Sequence, residues 1–153
     1  MKRTLALPRI SLAPFALGLR SWADLLTALS NLAWARSKLG SVAPSALLQR
    51  QAALVPTPAV DQAELIKRVA IAISRAASRV PWRSDCLVQA LAAERWLAKK
   101  GVATVLCIGA RKDEQSQFHA HAWLKAGDTI VTGGDIGAYA PLVGTGEKPS
   151  SRD

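Results

Sequence analysis

The sequence predicts an α+β fold, in which a helix beginning at Cys86 packs on an antiparallel sheet and further helices precede it. Three observations lead there. Apolar residues recur at helical spacing in two N-terminal stretches: Trp22, Leu25, Leu26, Leu29, Leu32 and Ala33, then Leu65, Val69, Ala72 and Ala76. Phe118–Leu124 instead alternates with a period of two, as a half-buried strand does. Glycines punctuate the second half where such elements would end, at Gly101, at Gly127 before Asp128, and at Gly133-Gly134.

Each element follows from its residues. Residues 1–18, apolar and basic with Pro8 and Pro14, read as an irregular arm. Ser21 to Leu39 reads as a helix, started by Ser21 with Asp24 three residues on and stopped by Gly40. Residues 40–60 carry Pro44, Pro56 and Pro58 and read as a linker. Asp61 with Glu64 resembles a capping box opening a second helix, which Pro81 closes. Its apolar face is Leu65, Val69, Ile71, Ala72 and Ala76. Ser84 or Asp85 caps a third helix, Cys86 to Lys100, with Gly101 as its stop. Strands are expected at Val102–Ala110, Gln117–Ala126 and Thr129–Thr132, the last two joined by a Gly127-Asp128 turn. Residues 144–153 are a polar tail.

At 153 residues and 50% hydrophobic, the chain can build one packed core but not two. A division at residue 80 is expected: a helical region, 1–80, suited to docking a partner or substrate, and a core, 81–153, that holds the candidate reactive residues, the two forming one unit. The net charge is +9, and residues 1–50 hold seven Lys/Arg against Asp24 alone. Such a surface attracts acidic peptides or an anionic membrane surface. A nucleic-acid role would rest on charge alone, because no helix-turn-helix, RNP pattern or zinc finger is visible, and none is expected. Two cysteines are too few for a disulfide scaffold or a cysteine-rich zinc site. There is no signal-peptide pattern and no long apolar run. The expectation is a cytoplasmic protein with reduced thiols and no cofactor or metal.

The chemistry concentrates in two places. Cys86 falls in the first turn of a helix, where free backbone N–H groups and the positive end of the dipole favour thiolate, and where an N–H can hold an oxyanion. Asp85 beside it works the other way. The only two histidines, His119 and His121, lie on one face of the predicted second strand together with Trp123. A strand presenting imidazole to a cysteine-bearing helix start is a Cys–His pair. Metal binding by the two histidines would lack a third and fourth ligand.

The stretch from Cys86-Leu87 to Leu91, with Trp96-Leu97, Gly101, Ile108-Gly109 and Ala120-His121-Ala122-Trp123, resembles the transglutaminase-like leader peptidases of lasso-peptide biosynthesis. The likeness covers residues 82–143 best. It implies a cysteine endopeptidase that cuts leader from core in a ribosomally made precursor peptide. The freed core N-terminus is then closed into a ring by an ATP-dependent macrolactam synthetase. It implies Cys86 as nucleophile and His121 as base, with His119 a bystander. In that family an acidic residue about a dozen positions after the histidine orients it. Gly133 stands near that place here, so Asp135 is the candidate acid, with Asp128 second. The helical N-terminal part has no set of strands for a fused leader-binding domain, so leader capture is expected to fall to a separate leader-recognition protein.

Two other readings stay open on the residues. The same acyl-enzyme passed to an amine would make an acyl transferase. A basic, non-catalytic peptide-binding adaptor would use neither Cys86 nor His121.

Overall fold

The computed structural model describes residues 18–40 and 60–143. The expected arm, most of the linker and the polar tail lie outside the described residues. The elements are α1 (Leu19–Leu39), α2 (Val60–Ala77), α3 (Cys86–Ala98), β1 (Val105–Lys112), β2 (Phe118–Ala126), β3 (Thr129–Thr132) and β4 (Ala140–Val143). The strands form one sheet in the order β3-β2-β1-β4, antiparallel throughout. This is the mixed architecture the patterning predicts: N-terminal helices, a Cys86 helix and an antiparallel sheet.

The core follows from α3. Its Val88, Ala90, Leu91, Ala92, Ala93, Trp96 and Leu97 are all buried, so the helix is apolar almost all round rather than along one stripe. A helix of that kind needs neighbours on several sides. It has them: Ala28, Leu32 and Ala35 of α1, Ile66, Val69 and Ile73 of α2, and Leu106, Leu124, Ala126 and Val131 of the sheet join it in one cluster. The many alanines let these elements approach closely. Arg95 of α3 lies 4.3 Å over the Trp34 ring and adds a cation–π contact to the α1–α3 seam.

Several boundaries shift for identifiable reasons. Helix α1 begins at Leu19, with Gly18 as N-cap and no side-chain cap, so Ser21 does not start it. Asp24 has another use. Its carboxylate receives Arg68 Nη2 at 2.6 and 2.9 Å and Arg68 Nε at 3.1 Å, a fork-to-fork pair that ties α1 to α2. Helix α2 already includes Val60, which places Asp61 inside it rather than at its cap, and it ends at Ala77, before Pro81. Its buried face is Ile66, Val69, Ala72, Ile73 and Ala76, whereas Ile71 is 41% exposed. That face is rotated from the one expected, because α2 packs on both α1 and α3. Strand β1 runs later than its apolar run suggests, through Arg111 and Lys112, since both pair with β2 across a hairpin that extends past the core. Strand β4 has no counterpart among the strands that the sequence predicts. It is four residues long with Pro141 inside, and only pairing with β1 at the sheet edge makes it a strand.

The Asp24–Arg68 pair is mostly shielded from solvent, so its loss has a measurable cost. Asp24→Asn removes the charge but keeps the shape. It is expected to lower stability by about 1.5–3 kcal/mol, the range for hydrogen bonds to charged groups. Urea unfolding should show a lower midpoint with an unchanged slope.

Candidate active site

Cys86 is the first residue of α3 and is half-buried. Asp85 is the N-cap residue with extended backbone (φ −65°, ψ 166°), and its carbonyl accepts the first helical bond, from Gln89 N at 3.1 Å. The Asp85 side chain makes no capping bond. It is exposed and 3.5 Å from the Arg83 Nε, so its charge is partly countered. Gln89 stands one helical turn after Cys86, and its Nε2 donates to the Ser84 carbonyl at 2.8 Å. That bond fixes the chain where it enters the helix, and with it the direction in which Cys86 leaves the first turn. The early amides of such a turn have no carbonyl of their own helix to bond.

His121 comes from β2, opposite Gly109 of β1. It borders the same cavity as Cys86, about 320 Å³ in volume, with Gln89 of α3, Ser74 of α2 and Thr132 and Gly133 at the end of β3. The His121 Nε2 lies 2.7 Å from the Gly133 carbonyl oxygen. A carbonyl only accepts, so Nε2 carries the hydrogen and the neutral ring keeps its lone pair on Nδ1. The backbone thus fixes the tautomer and the ring plane, which in a Ser-His-Asp triad is the task of the acid.

Gly133 can do this only as glycine. Its φ is +114°, and a Cβ there would fall 2.3 Å from Trp123 Cβ. The chain after β3 turns tightly over Trp123, and that turn aims the carbonyl at the imidazole. Gly109 makes room on the other side of the same indole. A Cβ there would sit 2.8 Å from the Trp123 ring and 2.7 Å from the Ala140 carbonyl oxygen. Trp123 is buried between the two glycines and stacks with His121 at 6.1 Å between centroids. Tyr139 packs on the imidazole at 4.8 Å, and the Arg111 guanidinium lies 5.4 Å over the Tyr139 ring. Strands β1 and β2 and the chain between β3 and β4 therefore hold one imidazole.

The other sequence candidates fall elsewhere. The Asp135 carboxylate is exposed and accepts from the Gly137 amide at 2.9 Å, closing a local turn. The bond to His121 Nε2 that the family pattern assigns to an acid is made here by the Gly133 carbonyl. Asp128 lies at the β2–β3 turn, at the opposite end of β3 from Gly133. His119 is exposed at the β1–β2 hairpin, with Nε2 2.6 Å from Asp113 Oδ2. That bond, with amides of Gln117 and Gln115, holds the Asp113 carboxyl below its usual range. Cys107 is 1% exposed, and burial pushes its thiol pKa up, against a smaller opposite effect of Lys125. Among the described residues no group of three or more His, Cys, Asp or Glu gathers as metal ligands, and no helix is long and apolar enough to cross a membrane.

Sequence reasoning missed Ser74, Gln89 and the Gly133 carbonyl. Gln89 was findable, three residues after Cys86 and on its side of the helix. Ser74 comes from a different helix and had no local signal. Compared with known proteins, residues 19–144 match the transglutaminase-like superfamily. No curated protein and no solved structure gives a significant match.

Two outcomes follow from this geometry. Iodoacetamide near neutral pH is expected to label Cys86 faster than Cys107 in the folded protein, because Cys86 is accessible at a helix start and Cys107 is buried. Peptide mass mapping reads both rates, and equal rates would refute the assignment. The second outcome concerns the imidazole. In ¹⁵N spectra of histidine-labelled protein, His121 should show protonated Nε2 and bare Nδ1. Gly133→Ala should lose that signature and slow Cys86 alkylation, whereas Asp135→Asn should keep both. A lost tautomer in Asp135→Asn with the fold intact would return the orienting role to the carboxylate.

Proposed function

Because the chain belongs to the transglutaminase-like superfamily, a family that points to a cysteine peptidase or acyl transferase, we propose that it is a cysteine peptidase with Cys86 as nucleophile and His121 as base. The observation that carries this reading is the shared cavity of Cys86 and His121, with the ring pinned so that Nδ1 is the free nitrogen.

The steps follow from that arrangement. His121 Nδ1 takes the Cys86 thiol proton, and the sulfur attacks the scissile carbonyl carbon. Negative charge grows on the carbonyl oxygen, and first-turn amides of α3 are the nearest source of N–H donors for it. The C–N bond breaks as imidazolium returns the proton to the leaving amine. A thioester to Cys86 remains. Water, losing a proton to His121, attacks it and releases a carboxylic acid and the thiol. An amine in place of water would give transfer instead of hydrolysis.

The substrate we assign is the leader–core precursor of a lasso peptide, cut once so that the core amine is free for a macrolactam synthetase. Support comes from the Ala120–Trp123 motif with Ile108-Gly109, whose glycine makes room for the motif's own tryptophan. Leader capture falls to a separate leader-binding protein. The exposed stripe of Leu19, Trp22, Leu26 and Leu29 on α1 is the surface offered to it.

The test is cleavage of such a precursor by the purified protein, with and without the leader-binding protein. The expected result is one cut that leaves a free carboxylate on the leader, accelerated when the partner holds the leader beside the site. Cys86→Ala and His121→Ala should abolish it, and His119→Ala should reduce it only in part. An amide product with added amine would shift the reading to acyl transfer. Full function of Cys86→Ala would make the protein an adaptor.

A further inference from the structure

The cavity at Cys86 is bounded on one side by Val131 and Thr132 of β3. The preceding residues of the same strand, Thr129 and Ile130, bound a second, larger cavity of about 550 Å³. Its opposite wall is Ala63, Ile66, Ala70 and Ile71 of α2, and Ala70 borders both cavities. The two spaces therefore lie end to end between α2 and β3, and β3 is one of the two edge strands of the sheet. Within the larger one, Ile71 is 41% and Ile130 39% exposed. Two partly exposed isoleucines on facing walls are a cost in water that an apolar group between them would remove. Lys67 and Asp128 are its charged members, one of each sign, so net charge does not select the occupant.

We propose that this groove is a substrate subsite. It takes one bulky apolar side chain of an extended peptide whose scissile bond lies at Cys86. The assignment rests on the cysteine-peptidase reading and adds a specificity determinant to it. An extended peptide is the ligand that fits a channel beside an edge strand, since main-chain pairing there supplies affinity and a side-chain pocket supplies selection. Because the groove joins the Cys86 cavity along consecutive residues of β3, a side chain held there sits a small number of residues from the reacting carbonyl.

Two families of electrophilic peptides test this in the full chain. One is N-chloroacetyl-oligoglycyl-leucinamide and the other acetyl-leucyl-oligoglycyl chloromethyl ketone, each with glycine spacers of increasing length and with an aspartate counterpart. In both, the Cys86 sulfur displaces chloride, so alkylation read by mass spectrometry reports residence at the site on either side of the scissile position. At one spacer length the leucine probe should react at least about tenfold faster than its aspartate counterpart, as apolar pockets discriminate. Ile71→Asp and Ile130→Asp, both at partly exposed positions, should each bring that ratio toward unity while the iodoacetamide rate at Cys86 stays unchanged. Equal leucine and aspartate rates at every spacer in the wild-type protein would overturn the subsite, as would a preference that survives both substitutions. Both results leave the peptidase reading intact. A Cys86 inert to iodoacetamide would instead remove that reading and the subsite with it.

Discussion

The candidate site depends on one hydrogen bond, from His121 Nε2 to the Gly133 carbonyl. Everything around it serves to place that oxygen. Trp123 lies two residues after His121 on β2, and its buried side chain is the surface over which the chain leaving β3 must turn. Only a residue without Cβ passes there, and the positive φ it adopts points the carbonyl at the ring. The bond is neutral, so it is weaker than one to a carboxylate and stabilises a developing imidazolium less. What it retains is direction. It fixes which nitrogen is free without placing an ionised group in a half-enclosed cavity, where an anion would cost desolvation.

The two sides of the site are held by different forces. Cys86 is placed by burial, since α3 is packed on nearly every side by α1, α2 and the sheet, and its N-terminus cannot move without disturbing that core. His121 lies beyond the main cluster, in the half of β2 where burial gives way to exposure. It is placed by hydrogen bonding and by rings: Trp123, Tyr139 and, behind Tyr139, Arg111. Cys86 is thus held by the packed core and His121 by strand and loop.

The N-terminal helices are part of this arrangement and not only an appendage. Helix α2 lends Ala70 and Ser74 to the cavity wall and forms one side of the groove that continues from it. Helix α1 is held to α2 by the Asp24–Arg68 fork and to α3 through Trp34 and Arg95. A partner gripping the exposed face of α1 would therefore pull on the same packed helices that frame the site.

Much of this was legible in the residues alone, wherever a local rule governs. Periodicity marked the three helices and the β2–β3 hairpin, Gly101 marked the end of α3, and a helix-start cysteine with a strand histidine marked two residues that border one cavity, Cys86 and His121. Local rules failed where distant segments meet. Asp24 reads as a helix-start residue until Arg68, far along the chain, takes its carboxylate. Ile71 reads as core until α2 is rotated by having to pack on two helices at once. Strand β4 exists only because β1 offers it an edge. Asp135 reads as the acid by its place in the chain, but a turn closes it onto Gly137. A backbone carbonyl carries no signature in a sequence, because every residue has one. That the oxygen on His121 belongs to Gly133 was decided by the close approach of the chain leaving β3 to Trp123 of β2, which only the tertiary structure contains.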